Sequence, residues 1–252
     1  MKSKSSDWYR NIWTLDIKNM SWVEDTKHQV DFIIKTLELK GTERILDLAC
    51  GYGRHAICFA RRHFSVVGVD ITKAYIDDAI QSTHGIMPNI QFIHSDIRDV
   101  RFQSEFDVVL NLADGAVGYL ENDGENLKIF DVISRALKPG GKHFMDVCNA
   151  EHAQAYFPKR SWAIGDKEFS FSEFDWDPQK RTMLYGGGGF TYEETAKKPE
   201  VPEGNPTRLY SISELNAIFS ERNMRIVDTF SDYSGKPATY KELQLMVYSI
   251  KN

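Results

Sequence analysis

The stretch Asp47-Leu48-Ala49-Cys50-Gly51-Tyr52-Gly53 sets a carboxylate just ahead of two closely spaced glycines. Gly51 and Gly53 lack a Cβ, so each allows positive φ and lets the backbone approach a ligand closely. A helix opening behind such a loop presents free N–H groups and a partial positive charge. Gly51-x-Gly53-x-x-Ala56 formally matches the dinucleotide fingerprint, so an NAD(P) cofactor is one reading. Asp47 argues against it, because a carboxylate there repels a pyrophosphate and suits the ammonium of an amino-acid-like ligand. Two more carboxylates close apolar runs. Asp70 follows Val66-Val67-Gly68-Val69, and Asp96 comes directly after His94-Ser95.

The elements that hold these residues can be read from hydrophobic period. Residues 23–39 carry Val30, Ile33, Ile34 and Leu37 at helical steps, and Gly41 ends the pattern. Short apolar runs at 44–49, 65–69, 90–94, 106–110 and 142–147 read as buried strands. Residues 54–63, 73–82 and 126–137 read as helices, and Pro139-Gly140-Gly141 as a turn. This alternation predicts an α/β fold with a parallel sheet covered on both faces.

The pattern breaks after Asn149. An aromatic region, residues 150–206, predicts a small antiparallel β insertion. It has a strand at 167–176, a turn at 177–180, and strands at 181–185 and 190–194 interrupted by four glycines. A proline-containing loop is expected at 197–206. The sheet then resumes. A helix at 212–222 starts from a capping box of Ser211 and Glu214, followed by strands at 225–230 and 244–250. The expected divisions are 1–40, 41–149, 150–206 and 207–252.

Composition narrows the partners. The net charge is −5, from 31 Lys and Arg against 36 Asp and Glu, with no basic block, which disfavours nucleic acid. No apolar run reaches membrane-span length and no secretory signal is legible, so a cytoplasmic protein without a membrane partner is expected. The three cysteines, Cys50, Cys58 and Cys148, form no metal-ligand spacing, and no metal is expected. Cys50 reads as a small buried residue rather than a nucleophile, since no base neighbours it.

Asp47-x-Ala49-x-Gly51-x-Gly53 resembles the first motif of class I S-adenosylmethionine (SAM)-dependent methyltransferases, with Ala49 in place of a glycine. Val66 to Asp70 resembles the second motif, His94-Ser95-Asp96-Ile97 the third, and Phe106 to Asn111 the fourth strand and its exit. Leu137 to Gly141 resembles the turn before the fifth strand. The resemblance covers 41–149 well and 207–252 more loosely. It implies a Rossmann-like seven-stranded sheet, five parallel strands plus a C-terminal antiparallel hairpin. It also implies SAM as cofactor, held by Asp47, Ala49, Gly51, Gly53, Asp70, Ile71, Asp96, Ile97 and Asn111. Within it, Asp70 takes the ribose hydroxyls, Asp96 the adenine amino group, and Ile97 packs on the ring.

The acceptor half is less legible. Methyl transfer is an in-line displacement that needs proximity and a dry pocket, and a general base only when the acceptor holds its proton. The loop after Asn111 lacks the Asn/Asp-Pro-Pro-aromatic pattern of amino methylases that act on adenine, cytosine or glutamine amides. It offers Asp114 and Tyr119, which equally suit a loop-shaping role. His152 is a candidate base and Arg208 a candidate carboxylate clamp, and both types are commonly surface residues. Trp162, Phe171, Trp176, Tyr185 and Tyr210 are candidates for an aromatic acceptor wall or for a small second core. Tyr9, Trp13 and Trp22 are expected in an N-terminal lid. The expected activity is methyl transfer to a nitrogen or oxygen of a small molecule, by a monomer or homodimer. An NAD(P)-dependent oxidoreductase and a non-catalytic SAM-binding module are the competing readings.

Overall fold

The computed structural model describes residues 1–19, 23–164, 168–191 and 203–252. In chain order, β1 (Lys2–Ser3) leads through two 3₁₀ turns to α1 (Thr26–Thr36), followed by β2 (Arg44–Leu48) and α2 (Arg54–Ala60). Then come β3 (Ser65–Asp70), α3 (Lys73–Thr83), β4 (Ile90–His94), β5 (Phe106–Asn111), α4 (Asp123–Ala136) and β6 (Leu137–Cys148). The remainder comprises α5 (Ala150–Tyr156), β7 (Lys159–Ile164), β8 (Glu168–Asp177), β9 (Thr182–Thr191), β10 (Glu203–Arg208), α6 (Ile212–Ser220), β11 (Met224–Phe230) and β12 (Gln244–Lys251).

Seven strands form one sheet in the order β11-β12-β6-β5-β2-β3-β4. β2 pairs in parallel with both β3 and β5, β3 with β4, and β5 with β6. β12 runs antiparallel to β6 and to β11, which makes the expected C-terminal hairpin. Strand alternation sends neighbours to opposite faces. Leu46, Val67 and Val109 join Phe130, Ile133 and Phe219 in one core layer, while Ile45, Val66 and Val108 join Ile33, Leu37 and Phe59 in the other. Both faces are therefore dry, which is why these strands read as continuous apolar runs.

The insertion forms a second sheet, order β1-β10-β9-β8-β7, antiparallel except where β1 joins β10. Three expectations change here. The four glycines do not interrupt a strand, because Gly186 to Gly189 pair along β8 inside β9. A Cβ on Gly188 would lie 2.9 Å from Cζ of Phe171, so the bare backbone makes room for that ring. Residues 203–206, expected in a loop, belong to β10, which pairs with β9 through Pro206 and Asn205. Residues 150–156, expected within the β insertion, form α5, where the Asn149 side chain caps the helix by accepting from the Glu151 N–H. The capping box of Ser211 and Glu214 is present at the start of α6. Residues 165–167 and 192–202 lie outside the described residues, and with them the ends of two expected strands and part of the expected loop.

β6 is longer than expected because it passes through Pro139-Gly140-Gly141, with Gly140 at φ +75° and a register shift against β5. Among the described residues, no helix is long and apolar enough to cross a membrane.

Candidate functional site

β2 has β3 on one side and β5 on the other, so the sheet's strand order reverses beside it. Ligands of open α/β sheets bind at the carboxyl ends of the strands at such a point. A cavity of about 750 Å³ lies there. Its wall is built from the exits of β2, β3, β5 and β6, from the N-terminal segment, and from the segment between β11 and β12.

The β2 exit supplies Asp47, Ala49, Cys50 and Gly51. Ala49, Gly51 and Gly53 have φ of 58°, 58° and 80°, so the loop turns in the left-handed region before α2 begins. A Cβ on Gly53 would sit 2.6 Å from the Phe92 ring, so only glycine fits beneath β4. Asp47 is 1% exposed, and its Oδ2 has no hydrogen-bond partner. Burial pushes its pKa up to about 7, against the pull of nearby Arg54. Asp70 accepts from Gly51 N–H at 2.8 Å with one oxygen and from Thr72 N–H at 2.7 Å with the other. It ties β3 to the glycine loop, and its remaining lone pairs are available at the cavity, which it lines. Burial raises its pKa, with the two backbone donors opposing.

The loop after β5 is strained. Ala113, Asp114, Gly115 and Ala116 have φ between 51° and 69°, and Gly118 is at 88°. Left-handed backbone costs about 1 kcal/mol per non-glycine residue, so this conformation needs anchors. Asn111, fully buried, donates from Nδ2 to the Gly115 carbonyl at 3.1 Å. Asn126 Oδ1 accepts from Gly118 N–H and Leu120 N–H at 3.0 and 3.1 Å. The Arg208 N–H donates to the Gly118 carbonyl at 2.7 Å, fastening the loop to the end of the insertion. Asp114 N–H donates to the Asp146 carbonyl at 2.8 Å. The outcome is that Asp114 and Tyr119 face the cavity, joined by a 2.8 Å hydrogen bond from the Tyr119 hydroxyl to Asp114 Oδ2. Burial raises the Asp114 pKa, partly offset by that hydroxyl, and also drives the Tyr119 phenol well up.

The N-terminal segment closes one side with Tyr9, Trp13 and Ile17. Trp13 stacks on Tyr119 with ring centroids 6.3 Å apart, and Trp8 lies 4.9 Å from the same ring. Polar contacts hold the segment down. Tyr9 donates to Glu121 at 2.8 Å, Tyr75 donates to the Thr14 carbonyl at 2.9 Å, and Trp8 Nε1 donates to the Pro206 carbonyl at 3.1 Å. Arg98 gathers Asp96, Glu121 and Glu125 beneath it, at 2.6 to 2.9 Å. Trp22 lies outside the described residues.

Residues 45–141 match a family model described as a methyltransferase domain. This chain carries a class I SAM-dependent methyltransferase fold. YqeM of Bacillus subtilis, which bears a methyltransferase name, is 33% identical over 129 residues, 51% of each chain. The chain spans about half the length of the curated relatives it matches. A SAM-dependent methyltransferase from Clostridium acetobutylicum superposes with a TM-score of 0.73 at 20% identity, covering 94% of this chain and 96% of that one. SAM-bound CalS10, an amino pentose methyltransferase from Micromonospora echinaspora, gives 0.63 at 17% identity, covering 96% and 99%.

Of the residues picked from the methyltransferase motifs, Asp47, Ala49, Gly51, Asp70 and Ile71 line the cavity together. Gly53 supports it from behind as the αL residue ahead of α2. Asn111 does not reach the lining; it braces the strained loop. Asp96 and Ile97 are also off the lining. Burial pushes Asp96 up, but the Arg98 fork holds it below the usual carboxylate range, and Ile97 is 5% exposed in the core. His152 sits in α5 against Tyr156 and Phe157, away from the lining, so the structure does not bring it to the other candidates. Arg208 is taken by Glu214 and Asp123. Tyr185 alone of the five insertion candidates lines the cavity. Trp162 is exposed, Trp176 bonds Gln154, Phe171 covers Gly188, and Tyr210 is buried with its hydroxyl on Asp123.

Arg54, Asp146 and Tyr233 line the cavity and were not singled out from sequence. Asp146 had a signal: it is a lone carboxylate in the apolar run Phe144-Met145-Asp146-Val147, near the end of a buried strand.

Two outcomes follow. A Cβ on Gly118 would lie 2.0 Å from the Arg208 carbonyl oxygen. Gly118→Ala is therefore expected to cost about 2–4 kcal/mol by overpacking and left-handed strain, read as a fall in the urea midpoint. Asp47 holds its proton to higher pH folded than unfolded, so its contribution to stability falls as pH rises from about 4 to about 7. Across that window the ligand-free wild type should lose about 2–4 kcal/mol relative to Asp47→Asn, measured by urea unfolding of both at each pH.

Proposed function

We propose that this domain binds SAM along the carboxyl edge of its sheet and transfers the methyl group to a nitrogen or oxygen of a small molecule. The observation that carries the reading is Asp47, a buried carboxylate with an unpartnered oxygen on the same cavity as Asp70. A buried carboxylate oxygen without a hydrogen-bond donor is costly until a donor completes it. The ammonium of the methionine moiety meets that need, and a pyrophosphate would worsen it. Asp70 offers its remaining lone pairs to the ribose hydroxyls, the left-handed Ala49–Gly53 turn makes room for the ligand, and Ile71 gives an apolar surface. Arg54, on the same lining, suits the methionine carboxylate.

When bound, the cofactor supplies an electrophilic methyl on a sulfonium. The chain's own part is to hold and align the acceptor and to exclude water. Asp114, Tyr119 and Trp13 form the wall that does this, and Tyr9, Trp13 and Ile17 serve as a lid over the cavity. A volume of about 750 Å³ suits a small acceptor beside the cofactor and not a macromolecular strand. The SAM-bound amino pentose methyltransferase of the same fold supports both halves of the reading. Cys50, Cys58 and Cys148 are all unpaired, which fits a reducing compartment such as the cytoplasm.

Calorimetric titration tests the donor. SAM or S-adenosylhomocysteine should bind at micromolar concentration, and NADH binding without SAM binding would sink the proposal. Asp70→Ala should weaken SAM by about 1.5–3 kcal/mol, the scale for losing hydrogen bonds to a charged group. Unchanged affinity would remove Asp70 from the site.

A further inference from the structure

The described lining of the cavity is strongly acidic. It holds Asp47, Asp70, Asp114, Asp146 and Asp232, with Arg54 as its arginine. His55, also on the lining, is kept neutral, since burial pushes its pKa well down. SAM, with one ammonium, one sulfonium and one carboxylate, brings a single net positive charge. Asp232 is spent on its own turn, accepting from the Ser234 N–H and hydroxyl and from the Lys236 N–H. Asp47 and Asp70 serve the donor on the reading above, on which this step rests. Asp114 and Asp146 are left over.

These two are built as a pair. The backbone N–H of Asp114 donates to the backbone carbonyl of Asp146 at 2.8 Å, which fixes one strand exit against the other. Each carboxylate accepts from one phenol, and Cys148 and the Ala113 backbone add donors to Asp114 and Asp146 respectively. Tyr119 donates to Asp114 Oδ2 and Tyr233 to Asp146 Oδ2, both at 2.8 Å. The second oxygen of Asp146, Oδ1, is buried without a partner in a residue only 6% exposed. The backbone of Asp114 is held at φ 69° between anchored neighbours, and its side chain is held toward the cavity by Tyr119.

We infer that Asp114 and Asp146 form a cation subsite for the methyl acceptor, and that the acceptor is an amine that enters as its ammonium. An ammonium has up to three N–H donors to share between the two carboxylates. Stacked Trp13 and Tyr119 beside it add π faces that favour a cation. A neutral alcohol has one O–H to donate and brings no charge to offset either carboxylate. Burial raises the pKa of Asp114 and takes that of Asp146 to about 7, against the Tyr119 and Tyr233 hydroxyls and, at Asp146, the pull of Arg54. For transfer, one proton of the ammonium passes to Asp146, whose Oδ1 is unpartnered. The N–H bonding pair then stays on nitrogen as the lone pair a methyl acceptor requires.

The test uses the full chain and matched probes: benzylamine with benzyl alcohol, cyclohexylamine with cyclohexanol, and ethanolamine with ethylene glycol. Each is incubated with methyl-labelled SAM, and its binding is measured separately by calorimetry with and without S-adenosylhomocysteine. At least one amine should bind and take label while its hydroxyl partner does neither. Asp146→Asn and Asp114→Asn should each weaken amine binding about tenfold or more, the scale of one buried charge-assisted hydrogen bond, with SAM affinity within about twofold. Label on the hydroxyl partners, or no amine bound by a protein that binds SAM, overturns the subsite. Equal amine binding by wild type and both variants overturns it as well. Failure of SAM itself to bind would instead strike the donor reading, and amine binding in its absence would still judge the pair.

Discussion

The site depends on parallel pairing at the middle of the sheet. Because β5, β2 and β3 run side by side in one direction, their carboxyl ends finish at one edge. β6 joins them in parallel on the far side of β5. Asp47, Asp70, Asn111 and Asp146 each stand at or near the end of one of these strands. Both faces of the sheet are buried, so none of the four strands can slip register without moving apolar side chains out of a core layer. Thus the positions of the carboxylates are set by hydrophobic burial, although the carboxylates themselves oppose it. The fold forces these charges together and dries their surroundings, with Arg54 on the same lining.

What the sequence made legible follows from this. A parallel strand buried on both faces leaves a short apolar run, and an acidic residue at its end is conspicuous. Asp47 and Asp70 were readable for that reason, as was the order of strands, helices and C-terminal hairpin. Asp146 obeys the same rule, yet it lies two residues before the end of its strand, with Val147 and Cys148 following. It therefore looks like a polar intrusion in a core strand. Only the approach of Tyr233, 87 residues away in sequence, reveals its direction.

The insertion and the third motif were less legible for different reasons. Gly186 to Gly189 carry no side chains to show a period of two, so local propensity pointed to a break. Their strand exists because β8 and β10 supply partners on both sides and Phe171 fills the space above Gly188. α5 was hidden because the Ala-rich run between Asn149 and Phe157 is short and sits at the entrance to an aromatic stretch. Asp96 matched a motif by position, but Arg98, two residues on, captures both its oxygens. Arg98 also reaches Glu121 and Glu125, and Arg10 from the N-terminal segment adds to the same cluster. Here the carboxylate ties the segment bearing Tyr9 and Trp13 to the edge of the domain.

That segment and the loop after β5 meet at Tyr119, and the junction links the two halves of the site. Tyr119 orients Asp114 through its hydroxyl while its ring receives Trp8 and Trp13. A movement of the N-terminal segment that unstacked Trp13 would expose the phenol to water and weaken its hold on Asp114, since water competes for both partners. The seated segment therefore does two things at once: it walls the cavity and keeps the Tyr119 hydroxyl on Asp114. The left-handed run from Ala113 to Ala116 makes this coupling stiff, because a backbone held in a sparsely populated region by Asn111, Asn126 and Gly118 has few alternative conformations to adopt. Strain in the loop, stacking of the N-terminal segment on Tyr119 and burial of Asp146 thus act on one small volume between the ends of β5 and β6.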